Sequence, residues 1–142
     1  MNFSRAVSLA CLLVVGGVAS AQDKPVIKKV PIKQTAAYSG KEMYKEYCAV
    51  CHGADAKGNG PAVVALKAAP PDLTTLTKRH DGKYPRDYIA NLLKSGKDGS
   101  AHGSSDMPTW GPLFRSLDSL HDDIVLQRIK NVSSYLESLQ AK

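Results

Sequence analysis

The chain has 142 residues, 43% of them hydrophobic, and a net charge of +6, which fits one domain with an N-terminal leader. Only 6% of the residues are aromatic and only three are cysteines. These values exclude a multidomain protein and a disulfide-scaffolded mini-protein, and a small domain with so few aromatic residues needs another source of stability.

Residues 1–21 have the composition of a secretory signal peptide. Arg5 precedes an apolar run over residues 6–18, and Ala19-Ser20-Ala21 ends it as an A-x-A-type cleavage site. The run is too short for a comfortable membrane span. We therefore expect export across the inner membrane to the periplasm and cleavage before Gln22. A lipoprotein signal ending at Cys11 is the alternative and would need a longer apolar run.

Residues 22–38 form a Lys- and Pro-rich arm without helical periodicity. We expect an extended tether or a loosely docked arm, most simply a solvated tail, although its charge could attract an acidic partner or anionic lipid. The arm contains Lys24, Pro25, Lys28, Lys29, Pro31 and Lys33.

The compact domain is expected over residues 39–142, and its first helix over about 40–50 with Ser39 as N-cap. Gly40, Tyr44 and Cys48 recur at helical spacing and share one face. Gly40 has no side chain, so another helix could cross closely there.

The rest of the domain also favours helices. A glycine-containing loop over 53–60 precedes a short helix over 62–67 opened by Pro61, and residues 72–77 suggest a turn-rich loop. Pro85 and Gly96 delimit a helix over 86–94, and residues 95–105 form a Gly/Ser-rich loop.

The last helix is expected to start at Ser119 with a capping box to Asp122. Its apolar face would carry Ile124, Val125, Ile129, Val132, Tyr135, Leu136 and Leu139.

The pattern Cys48-Ala49-Val50-Cys51-His52 predicts covalent attachment of a c-type haem. Two thiols at this spacing can form thioethers to the two vinyl groups, and the adjacent His52 can ligate the iron. A thioredoxin-like pair or half of a zinc site would be the alternatives. The only other cysteine lies in the predicted leader, and no βαβ pattern surrounds the motif.

A second axial ligand is expected from Met107. It lies in a loop and is followed by Pro108, which restricts the backbone that presents the thioether. Met43 belongs to the first helix and is expected to pack in the core of the domain. His102 is the runner-up, whereas His80 and His121 are expected to be solvated.

With these motifs in order, the chain resembles class I cytochromes c, the small secreted monohaem type similar to oxidase- and dehydrogenase-associated cytochromes. The resemblance covers about residues 39–139 and implies an all-α fold of helices wrapped around one covalent haem. The carbonyl of Pro71 would accept the N–H of the proximal His52, with Pro61 as a competing choice. The resemblance to this family depends on five motifs: Gly40-x3-Tyr44-x3-Cys48, the haem motif, Pro71-x-Leu73, Met107-Pro108-x-Trp110-Gly111 and Val132-x-x-Tyr135-Leu136.

The resemblance implies one-electron transfer by haem c and its iron, ligated by His52 and Met107, rather than catalysis. The chain would be a shuttle or a subunit of a respiratory or dehydrogenase chain. Its basic charge predicts redox partners with acidic surfaces. No nucleic-acid partner is expected. Lys78, Arg79 and Trp110 are candidates to contact the haem propionates. The alternative is an open-site haem enzyme or gas sensor in which Met107 leaves the iron free and His102 acts as a base.

Overall fold

A computed structural model describes residues 32–96, 107–118 and 121–141, and these residues form helices and loops without a strand. The predicted all-α architecture is therefore confirmed for the described part of the chain. The longer helices are α4 (Arg86–Ser95), α5 (Trp110–Leu117) and α6 (Asp122–Ser138), and the short ones are α1 (Gly40–Met43), α2 (Ala49–His52) and α3 (Leu76–Arg79). None of the described helices is both long and apolar enough to cross a membrane.

The first helical stretch is continuous but changes its winding. Helix α1 passes into a π-helical segment, Tyr44–Cys48, which passes into α2. The predicted cap is confirmed, since the Ser39 side chain accepts a hydrogen bond from the backbone N–H of Glu42. The wider π turn was not predicted, and such turns are frequent at functional sites.

Helix α1 crosses α6 at Gly40. A Cβ atom at Gly40 would come within 2.0 Å of the carbonyl oxygen of Asn131. One turn later, the ring of Tyr44 lies 5.4 Å from that of Tyr135. The expectation that Gly40 permits a close helix crossing is therefore confirmed.

Two predictions for the middle of the chain differ from the structure in detail. The short helix that Pro61 was expected to open over residues 62–67 is present as a 3₁₀ helix, Pro61–Ala65, and ends where Leu66 becomes extended. The expected turn-rich loop over 72–77 is a 3₁₀ turn, Leu73–Thr75, followed by α3. The carboxylate of Asp72 caps this turn by accepting from the Thr74 N–H at 2.8 Å.

The start of the last helix also differs from the expectation. Helix α6 begins at Asp122, with His121 at the N-cap and no side-chain cap bond. Asp122 instead forms an ion pair with Arg115 of α5 at 2.9 Å, and its carboxylate therefore links α5 to α6. Helix α5 was not predicted.

The core lies between α1, α4, α5 and α6. It contains the buried side chains of Met43, Tyr44, Tyr47, Ile89, Leu93, Trp110, Phe114, Val125, Ile129, Val132 and Leu136. Met43 is fully buried, as expected. Helix α4 ends as predicted, at a left-handed Gly96 whose N–H donates to the carbonyl of Leu92.

Candidate haem site

One cavity is lined by six of the residues that the sequence singles out. Its lining includes Cys48, Cys51, His52, Pro71, Met107 and Trp110, together with Tyr47, Leu66, Ala68, Ala69, Pro70 and Pro108. Residues far apart in the sequence thus share one largely apolar space.

The loop after the cysteine motif folds back onto the motif. The N–H of Gly58 donates to the carbonyl of His52 at 2.8 Å, and that of Gly60 donates to the carbonyl of Cys51 at 3.1 Å. Gly53 ends α2 at a φ of 80°, and its carbonyl accepts from the buried phenol of Tyr44 at 2.7 Å. These hydrogen bonds fix the backbone on both sides of His52. His52 itself is only 8% exposed.

The surroundings of Cys48 do not suit a reactive thiolate. Burial, and secondly the charge of Cys51, raise the pKa of Cys48 to about 12. A thioredoxin-like redox pair needs a lowered thiol pKa. Among the described residues, no group of three or more His, Cys, Asp or Glu side chains could hold a metal ion. The raised pKa of Cys48 disfavours the thioredoxin-like alternative.

A second wall of the cavity comes from the segment around Pro71. A Cβ atom on Gly58 would lie 2.1 Å from the carbonyl oxygen of Pro70, so this wall packs directly on the loop that follows His52. The N–H of Leu73 donates to the carbonyl of Ala56 at 2.8 Å. Pro71 lines the cavity, whereas Pro61 begins a 3₁₀ turn and is not part of the described lining. The structure thus brings Pro71 to the cavity beside His52.

The third wall is formed by Met107 and the start of α5. Met107 is half-buried against the core, and Pro108 lines the cavity beside it. Trp110, the first residue of α5, is 7% exposed. Its ring lies 5.6 Å from each of the rings of Tyr47 and Phe114. Aromatic packing therefore holds the helix end that follows Met107.

The remaining site candidates lie elsewhere or outside the described residues. Arg79 donates to the carbonyl of Asp72 at 2.7 Å, and Lys78 is exposed, so neither belongs to the cavity lining. His121 is exposed as expected, but His80 is half-buried with its ring 5.8 Å from that of Tyr88. His102 lies outside the described residues.

Sequence reasoning missed Tyr47 and the segment between Leu66 and Pro70 as parts of the cavity. Tyr47 directly precedes Cys48 on the same helical stretch, so the cysteine motif could have predicted that Tyr47 lies close to the haem site. The segment carries Leu66, Ala68, Ala69 and Pro70, yet none of these four is buried. The only signal in the sequence was that this segment is apolar apart from Lys67. The structure shows that its apolar side chains line the cavity and do not enter the core.

The chemistry of this lining fits a haem. Two cysteine sulfurs, an imidazole and a thioether share one cavity with apolar side chains, which is the donor set for covalent haem attachment and axial ligation. The apolar lining suits the flat porphyrin.

Comparison with known proteins agrees with this donor set. The family model described as Cytochrome c matches residues 37–140. Searches of curated proteins and of solved structures gave no match. The family match covers most of the chain, including the entire described cavity. The chain therefore belongs to the cytochrome c family, which binds covalently attached haem c and serves haem-based electron transfer.

Proposed function

We propose that this protein is a one-electron carrier whose haem is attached through Cys48 and Cys51 and ligated by His52 and Met107. The observation that carries the proposal is the shared cavity lined by the motif and by Met107. When bound, the haem supplies an iron that takes up or gives back one electron.

The side chains of the cavity have separate tasks. Cys48 and Cys51 hold the haem covalently, and the hydrogen-bonded backbone around His52 fixes the proximal imidazole. The carbonyl of Pro71 would accept the imidazole N–H once the haem is bound and would set its tautomer. Met107 supplies a thioether, which raises the reduction potential relative to a second imidazole. Trp110 lines the cavity together with Met107 and would shield the site from water.

We propose that the partners are redox proteins with acidic docking surfaces. Lys67 is exposed and lies between the cavity-lining Leu66 and Ala68, which places a positive charge at the cavity edge. The chain carries a net charge of +6. Association should therefore be transient and should weaken as salt screens the charges.

The carrier would work in the periplasm, reached through the signal peptide over residues 1–21, as a free shuttle or as a subunit of a respiratory or dehydrogenase complex. Purification of the protein from its native cells distinguishes a free shuttle from a subunit. A shuttle elutes alone, whereas a subunit elutes with its oxidoreductase. The dependence of the electron-transfer rate on ionic strength tests the acidic partner surface, because an uncharged interface would give a flat dependence.

The closed iron site is tested by mixing the ferrous holoprotein with carbon monoxide. A carrier with Met107 on the iron should bind carbon monoxide slowly and incompletely, because the thioether must first leave. Fast, complete binding would contradict the proposal and favour an open-site enzyme or gas sensor. A potentiometric titration followed by absorption should fit one electron per haem.

A further inference from the structure

The end of the N-terminal arm, residues 32–38, is strapped to the helical body and is called the strap below. Thr35 is only 6% exposed, and Ile32 packs against the core. The side chain of Asn131 on α6 donates to the carbonyl of Ala37 at 2.8 Å. This part of the arm is therefore not the solvated tail that its composition suggested, whereas residues 22–31 lie outside the described residues.

A buried cation holds the strap in place. Arg128 of α6 is 1% exposed, and its guanidinium donates to the carbonyl oxygen of Thr35 at 3.0 Å and to its hydroxyl at 3.1 Å. Two further donors reach the two carboxylate oxygens of Asp118, at 2.5 and 2.9 Å, and another reaches the sulfur of Met43 at 3.5 Å. A buried charge is tolerated only when its donors are satisfied, so this network fixes Thr35 relative to α6.

The strap in turn holds a wall of the cavity. The phenol oxygen of Tyr47 lies 2.7 Å from the hydroxyl of Thr35 and donates to the carbonyl of Lys33 at 2.6 Å. The same Tyr47 lines the cavity, and its ring packs against those of Trp110 and Phe114, at 5.6 and 5.8 Å. One tyrosine therefore connects the strap to the first residue of α5.

We propose that Thr35, Tyr47 and Arg128 are positioning residues that keep Met107 at the iron, an inference that rests on the proposed ligation. Met107 lies three residues before Trp110, so an anchored Trp110 limits the positions that the thioether can reach. Without the strap's hydrogen bonds, the wall loosens and Met107 spends more time away from the iron. Any external ligand then competes more successfully, because its apparent affinity rises with the open fraction.

The experiment titrates the ferric holoprotein with imidazole and follows the absorption band that Met–iron ligation gives near the red end of the spectrum. Tyr47→Phe keeps the ring and removes the hydroxyl, and Thr35→Val removes its partner. Each should raise the apparent imidazole affinity by at least about five-fold, the size expected for one net hydrogen bond, since each of these hydroxyls takes part in two. Tyr38→Phe is the matched control on the strap, since Tyr38 is 84% exposed, and should leave the affinity unchanged.

A conservative variant separates positioning from general stability. Thr35→Ser keeps the hydroxyl and should restore the native imidazole affinity even if the melting temperature stays lowered. If Tyr47→Phe and Thr35→Val lower the melting temperature but leave the imidazole affinity unchanged, the strap is only structural and the inference is overturned. A native protein without the Met–iron band overturns the proposed ligation together with this inference.

Discussion

The carbonyl oxygen of Asn131 occupies the space into which any side chain on Gly40 would project. An ideal Cβ there would lie 2.0 Å from that oxygen and 2.6 Å from its carbon. The obstacle is helix backbone, which cannot move aside as a flexible side chain can. Because α1 leads directly to the cysteine motif, this crossing also sets where the haem site lies relative to α6.

Gly40→Ala should therefore destabilise the holoprotein by about 1–3 kcal/mol, the usual cost of overpacking. Helix propensity alone predicts the opposite sign, since Ala in a helix is favoured over Gly by roughly 0.5–1 kcal/mol. Chemical unfolding of the holoprotein measures the difference. Lys41→Ala, at the exposed neighbouring position, is the control and should stay within about 0.5 kcal/mol of the native protein. A stabilised Gly40→Ala protein would show that the helices do not cross here.

Asp118→Asn should destabilise the protein far more than an ordinary surface change. It removes the negative charge that faces the buried guanidinium of Arg128 and leaves that cation uncompensated. Breaking a buried pair in this way costs about 3–5 kcal/mol. Unfolding by denaturant tests the value, with Asp123→Asn at an exposed position in the first turn of α6 as control. Equal effects of the two substitutions would mean that the pair is not buried in solution.

Asp72→Asn should change how stability depends on pH. The hydrogen bond from the Thr74 side chain, together with its backbone N–H and the charges of Lys57 and Arg79, holds the pKa of Asp72 below its ordinary value. A carboxylate with a lowered pKa stabilises the fold above about pH 4 and loses that contribution as the pH falls through its folded-state pKa. The native protein should therefore unfold at a higher temperature than Asp72→Asn at pH 7, and the gap should shrink at pH 3. A gap that is equal at both pH values would contradict this assignment.

The parts of the fold that sequence predicted are those set by local patterns. The Ser39 cap and the stop of α4 at Gly96 each depend on one residue and its immediate neighbours. The glycine at the α1–α6 crossing was recognised by its residue type and its spacing to Tyr44. The cysteine motif and Met107 were recognisable by residue type, and the structure gathers them around one cavity. Their roles toward the haem stay predictions.

What sequence could not provide depends on contacts between distant residues. Arg128 lies on the apolar side of α6 between Val125 and Ile129, but only the structure shows that Thr35 and Asp118 satisfy it there. Asp122 matched a capping box locally and instead pairs with Arg115. Helix α5 was missed although Trp110 and Phe114 have the spacing of one helix face.

The absorption spectrum of the ferric holoprotein tests the central claim most directly. The account predicts a weak Met–iron band near the red end in the native protein and in His102→Ala, and its loss in Met107→Ala. The same loss of the thioether should lower the reduction potential and open the iron to carbon monoxide. A native spectrum without the band, combined with conversion of the haem to high spin in His102→Ala, would contradict the account and assign a bis-His site.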